Sequence, residues 1–179
     1  VSTSYQGIDV GDDAQPTFVD IDSDGDFDMF IGEYDGYVSS YPNSGNPQTP
    51  LWQGSKGLPS NATSYSTSYN HIHENETWRS SSPYFADMDN DGDYDMVVGQ
   101  SSVGLSAWRN DGSSEAPVWT LNEDFIARTG RSGLDLGDSL SICMGDIDSD
   151  GDVDLLCGRY EGTIILCENQ STPSDTPPT

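Results

Sequence analysis

Apolar positions along this 179-residue chain come in short clusters, each cut off by Asp, Gly, Ser, Asn or Pro. Around the first polar loop, "PTFVDI" leads in and "DMFIGE" leads out. These runs are aromatic or β-branched and only a few residues long, which suits strands rather than helices. A Gly-bounded turn follows, and then a further strand-like run: "YVSSYPN", "LSAWRN" or "TIILCEN". Beyond its Asn, "NSGNPQTPLW" and "NDGSSEAPVW" carry Pro and Trp at equal offsets, as Pro50-Leu51-Trp52 and Pro117-Val118-Trp119. The pattern predicts a unit of strand, loop, strand, turn, strand, Pro-rich loop and strand. Four short antiparallel strands in about 60 residues are the content of one propeller blade. No apolar run approaches the ~20 residues needed to cross a bilayer, so membrane insertion is not expected.

The polar loop inside each unit is itself a repeat. "DIDSDGDFD" (20–28), "DMDNDGDYD" (87–95) and "DIDSDGDVD" (146–154) recur at intervals of 67 and 59 residues. Repetition at such a period points to stacked or radial architecture. A glycine stands twelve residues after each first Asp, at Gly32, Gly99 and Gly158, and a turn then ends at Gly36, Gly104 or Gly162. The expected fold is therefore all-β, a propeller-like array of three four-stranded antiparallel blades. Residues 1–170 are expected to form a single repeat domain with a long insertion at 53–82, and 171–179 a Ser/Thr/Pro-rich tail or linker. "GIDVGDD" and "GLDLGDS" each begin thirteen residues ahead of a first loop Asp, at Gly7 and Gly133. The N-terminus thus starts partway through a repeat, and residues 1–6 are expected to supply a missing outer strand to the third blade or to a neighbouring molecule. With Val1 in first place and no signal-like segment, the chain reads as a processed product or a piece of something longer.

Charge narrows the chemistry. The formal net charge is −25, with six Lys and Arg in all, which excludes nucleic acid and anionic membrane surfaces as direct partners. Fifteen of the 31 acidic residues lie inside the three loops, so the charge is placed and not spread. Alternate carboxylates on a curled loop converge on one point, which is how calcium, a hard cation taking six to eight oxygens, is held. In the first loop Asp20, Asp22 and Asp24 are expected to give side-chain oxygens, Asp26 its carbonyl, and Asp28 to close the shell around the turn at Gly25. Asp87, Asp89, Asp91, Asp93 and Asp95 with Gly92 take the same parts, as do Asp146, Asp148, Asp150, Asp152 and Asp154 with Gly151. Without a cation these carboxylates would repel and raise one another's pKa values. About three Ca²⁺ ions are expected; Mg²⁺ fits less well, since it demands near-ideal octahedral geometry. An EF-hand is excluded, because its twelfth loop position requires Glu and here holds Ile31, Val98 and Cys157.

Loop and strands together resemble the FG-GAP/VCBS-type repeat family, in which a D-x-D-x-D-G-x-x-D calcium loop lies between strands of a β-propeller blade. The resemblance covers nearly the whole chain, although the literal Phe-Gly and Gly-Ala-Pro elements of the integrin form are absent. It implies calcium at Asp20, Asp22, Asp24, Asp28 and their counterparts, and no catalytic residues.

Three sequons, at Asn61, Asn75 and Asn169, fit an extracellular or cell-surface glycoprotein. Cys143 and Cys157 are equidistant from the centre of the third loop hairpin, so they are expected to face each other and to be able to form a disulfide, leaving Cys167 over. Trp52 and Trp119 read as inter-blade core, and His71 and His73 as ordinary loop residues. No nucleophile–base motif is present, so an enzyme is not expected. The expected function is a calcium-stabilised structural or adhesive module, with self-association or other extracellular proteins and glycans as partners and a coat or filament as one form of it. The alternative is a lectin-like module binding carbohydrate or protein between blades.

Overall fold

The computed structural model describes residues 5–52, 80–100, 104–114, 116–122 and 141–169. Among them are ten strands and no helix. They are β1 (Gln15–Val19), β2 (Asp28–Gly32), β3 (Val38–Tyr41), β4 (Ser81–Ala86), β5 (Asp95–Gln100), β6 (Gly104–Asn110), β7 (Trp119–Leu121), β8 (Ser141–Gly145), β9 (Asp154–Gly158) and β10 (Ile164–Cys167). They form three antiparallel sheets, β1-β2-β3, β4-β5-β6-β7 and β8-β9-β10, one for each Asp-rich loop. The middle unit has the four strands the pattern predicts. The other two show three described strands each; in the first, a single bridge between Asn43 and Trp52 stands where β6 and β7 join at Asn110 and Trp119. Tyr5 and Gln6 lie in a turn, with the Ile8 N–H donating to the Tyr5 carbonyl at 3.0 Å, and not in an outer strand.

Strand alternation gives every sheet two faces, and in the middle unit both pack against a neighbouring unit. One face of unit 1, with Val19, Ile21, Phe30 and Val38, packs on Met96 and Val98 of unit 2, joined by Phe85, Trp108 and Trp119. Phe30 meets Phe85 with ring centroids 4.5 Å apart. The opposite face of unit 2, with Met88, Val97 and Ala107, packs in turn on Ile142, Leu155 and Cys157 of unit 3. The two junctions use equivalent positions, so the same face of each unit lies on the same opposite face of the next. Trp119 sits in the first of them, as expected for inter-blade core. On the far side of unit 1, Met29, Ile31 and Tyr41 are covered by Val10 and Ile8.

Units 1 and 2 are also bolted through backbone. Ser81 N–H donates to the Glu33 carbonyl at 3.0 Å, the Glu33 N–H donates to Ser81 Oγ at 3.0 Å, and that hydroxyl donates to the Tyr37 carbonyl at 2.7 Å. The approach is so close that a Cβ on Gly32 would stand 2.0 Å from the Ser81 carbonyl oxygen. Glycine is required there by space.

The strand register corrects the expectation for the cysteines. Cys143 pairs with Leu156, and Cys157 pairs with Ile142. Eight residues, 146–153, separate the paired ends Gly145 and Asp154, because the last loop Asp already belongs to the strand. That shifts the register by one residue from a hairpin centred on Asp150, and a shift of one residue reverses the face. Cys143 is exposed on one side of the sheet, while Cys157 and Cys167 are buried together on the other, and none of the three is in a disulfide.

Candidate metal centre

Each loop is shaped by its own carboxylates. Gly25, Gly92 and Gly151 N–H groups donate to the first Asp of their loops, Asp20, Asp87 and Asp146, at 3.1, 3.0 and 3.2 Å. The N–H groups of Asp26, Asp93 and Asp152 donate to Asp24, Asp91 and Asp150 at 3.0, 2.9 and 2.9 Å. Two residues per loop take left-handed backbone: Ser23, Asn90 and Ser149 at φ of 60°, 59° and 65°, and the three glycines at 93°, 99° and 96°. A Cβ on any of those glycines would meet nothing within 4 Å, so glycine is required by conformation and not by space.

This curl brings side-chain oxygens of Asp20, Asp22 and Asp24 within 4.8 Å of one another; Asp87, Asp89 and Asp95 gather likewise, and so do Asp146, Asp148 and Asp154. Four of the predicted ligands, Asp20, Asp26, Asp89 and Asp152, each hold a buried carboxylate oxygen with no hydrogen-bond partner. No Lys or Arg pairs with any loop aspartate among the described residues; the two ion pairs, Arg109–Asp111 and Arg159–Glu161, lie outside the loops. Burial, then the neighbouring Asp91 and Asp87 charges, push the Asp89 carboxyl up. Burial likewise raises Asp22 and Asp148, where the charges of Asp24 and Asp150 add to it. Desolvated, mutually repelling oxygens with no donor are what a hard divalent cation would satisfy. The donor set is all oxygen, and the residues fit calcium. Asp91 and Asp93 fall outside the gathered group of their loop, as do Asp26, Asp28, Asp150 and Asp152 of theirs.

The ninth residue of each loop has a second role that the sequence did not disclose. Asp28 accepts the Ile21 N–H at 3.2 Å and the Asn43 N–H at 2.8 Å. Asp95 accepts from Met88 and Asn110, both at 2.8 Å, and Asp154 from Ile147 and Asn169, at 2.9 and 2.8 Å. Burial raises the Asp28 carboxyl to about 6 and the Asp95 carboxyl to about 7, opposed in part by these same hydrogen bonds. The Asn so clamped passes the contact on. Asn43 Oδ1 accepts the Gly45 and Leu51 N–H groups at 3.0 and 2.9 Å, and Asn110 Oδ1 those of Gly112 and Val118 at 3.0 and 2.9 Å. In units 1 and 2 the Asp-rich loop and the Pro-rich loop are thus joined through one Asp and one Asn fifteen residues apart. The equal offset of that Asn in all three units was the available signal.

Asn169 is the third member of this set. It is 2% exposed, so a glycan at its sequon would require the side chain to leave its place. Asn61, Asn75, His71 and His73 lie outside the described residues.

The FG-GAP-like repeat profile matches the chain twice, over residues 20–98 and over 87–157, each match taking in two of the three Asp-rich loops or the strands beside them. No curated protein matches the chain, and no solved structure does.

Proposed function

Because this chain belongs to the FG-GAP-like repeat family, we propose that it is a calcium-stabilised structural or adhesive module that works outside the cell, and that it assembles with copies of itself or with other extracellular proteins and glycans. The observation that supports the reading is the recurrence, three times over, of gathered carboxylate oxygens that no cationic side chain among the described residues pairs. A fold that holds such loops in place without a cation carries their repulsion; an ion that binds only the folded form removes it and stabilises by mass action, by about 2.7 kcal/mol per site at a hundredfold excess over Kd. No described helix is long and apolar enough to cross a membrane. The reading assigns no catalytic role to any residue.

Calorimetric titration of the chelated chain with Ca²⁺ tests it. About three ions are expected, with Mg²⁺ binding more weakly, and the melting temperature should fall by many degrees when chelator is added. Titration heat indistinguishable from dilution, with a melting temperature insensitive to chelator, would exclude the calcium role.

A further inference from the structure

The two junctions inside the molecule define what an open end must look like. At both, the face carrying residues equivalent to Ile21, Phe30, Val38 and Ser40 is covered by the next unit. In unit 1 Ile21 is 8% and Ser40 3% exposed; in unit 2 the equivalent Met88 is 7% and Ala107 1% exposed. Unit 3 carries the same face with nothing described upon it. Its Ile147, Ile164 and Leu166 are 48%, 71% and 42% exposed, yet all three are apolar. Cys143, Leu156 and Leu166 form one cross-strand row there, as Tyr84, Val97 and Ala107 do in unit 2.

The other end of the molecule carries the opposite face. In unit 2 that face presents Phe85, which rests on Phe30 of unit 1 and on Trp119 beside it, with centroids at 4.5 and 6.3 Å. In unit 1 the equivalent Phe18 touches Trp52 at 6.1 Å but is 55% exposed. Ile8 and Val10 cover the Met29, Ile31 and Tyr41 part of this face and leave the Phe18 corner open.

We infer that the open face of unit 3 docks the Phe18 corner of unit 1 in a second copy of this chain, repeating head to tail at that corner the contact that Phe85 makes with Phe30 within one molecule. Phe18 of one copy then meets Leu156 of the other, as Phe85 meets Phe30. Such a contact is heterologous: each copy keeps one free end of each kind, so association runs on past the dimer unless the rotation closes a ring. The inference rests on the self-assembling reading above, and deepens it by naming the two surfaces. Copies of net charge −25 repel, so association should strengthen with salt that screens this charge and with calcium that lowers it.

Sedimentation of the 179-residue chain in calcium, over a hundredfold range of concentration, gives the test. Wild type should form species beyond the dimer. Ile164→Glu and Phe18→Glu, each at an exposed position and each checked for unchanged calcium stoichiometry, should both be monomeric alone. Mixed in equal amounts they should form dimers and stop there, because one copy retains only the unit 1 end and the other only the unit 3 end. Thiol labelling of Cys143, which lies on the docking face, should slow at least several-fold on association. A wild type that binds its calcium and stays monomeric overturns the docking face while leaving the calcium reading intact. Association abolished by Ile164→Glu but untouched by Phe18→Glu overturns the head-to-tail pairing, since the contact would then be face to face.

Discussion

Asp89 and Asp95 stand six residues apart in one loop and should respond in opposite ways to the same substitution. Asp89 has a buried oxygen with no partner and two like charges beside it, so Asp89→Asn should abolish one calcium site and leave the chelated protein as stable as before or slightly more so. Asp95 accepts two buried main-chain N–H groups, and Asp95→Asn would set an amide donor against one of them. A loss of about 1–3 kcal/mol is expected with or without calcium, read from denaturant unfolding. The raised carboxyls of Asp28 and Asp95 set a pH trend for the chelated protein. Their folded state holds protons that the unfolded chain, with carboxyls near ~3.9, has released. Stability from this source is complete below about pH 4 and lost as pH rises through 6 to 7, so melting in chelator should be lower at pH 8 than at pH 5. With calcium the slope should flatten or reverse, because the ion requires the ionised carboxylates. The alternating aspartates were legible in sequence because few other structures call for that spacing. The Asp-to-Asn clamp was not, since its acceptor lies on one strand and its donor at or just past the end of another, and only the folded register brings them together.

At the level of the strand pair, the paired ends Val19 and Asp28, Ala86 and Asp95, and Gly145 and Asp154 are common to all three units, with the loop between them always eight residues long. Strand identity and order followed from composition and turn residues, whereas the register depended on the last Asp being part of the strand. That single residue moved Cys143 to the face opposite Cys157. In the folded protein, thiol reagents should modify Cys143 rapidly and reach Cys157 and Cys167 only on unfolding, and peptide mapping under oxidising conditions should find no Cys143–Cys157 bridge; recovery of that bridge would contradict the register. The clamp at Asn169 carries a related expectation. If the chain is made in a secretory host, glycopeptide mass spectrometry of the folded product should find Asn169 bare, and full occupancy there would show that the third unit closes differently from the other two. The Pro-rich loops are as tightly specified: a Cβ on Gly112 would lie 2.3 Å from the Ala116 carbonyl oxygen, so Gly112→Ala should destabilise unit 2 without touching its calcium affinity.

For the molecule as a whole, three sheets in sequence order make two junctions, and the described cores join only consecutive units. The count of units could be read from the repeated loops, but which face meets which could not, because alternate strand positions are apolar on both sides and only the stacking order distinguishes them. The sequential order bears on how the chain opens and closes. A structure whose parts touch only their neighbours behaves as a one-dimensional array, with stability distributed as terms for each part and each junction. Unit 2, gripped on both sides, should hold its amide protons longest in native-state hydrogen exchange, and unit 3, gripped on one, should release them first. Each sheet is also assembled from strands close together in sequence, so its closure requires little loop entropy and should be quick. Proteases should therefore trim the chain from unit 3 inward, in steps that calcium slows one unit at a time.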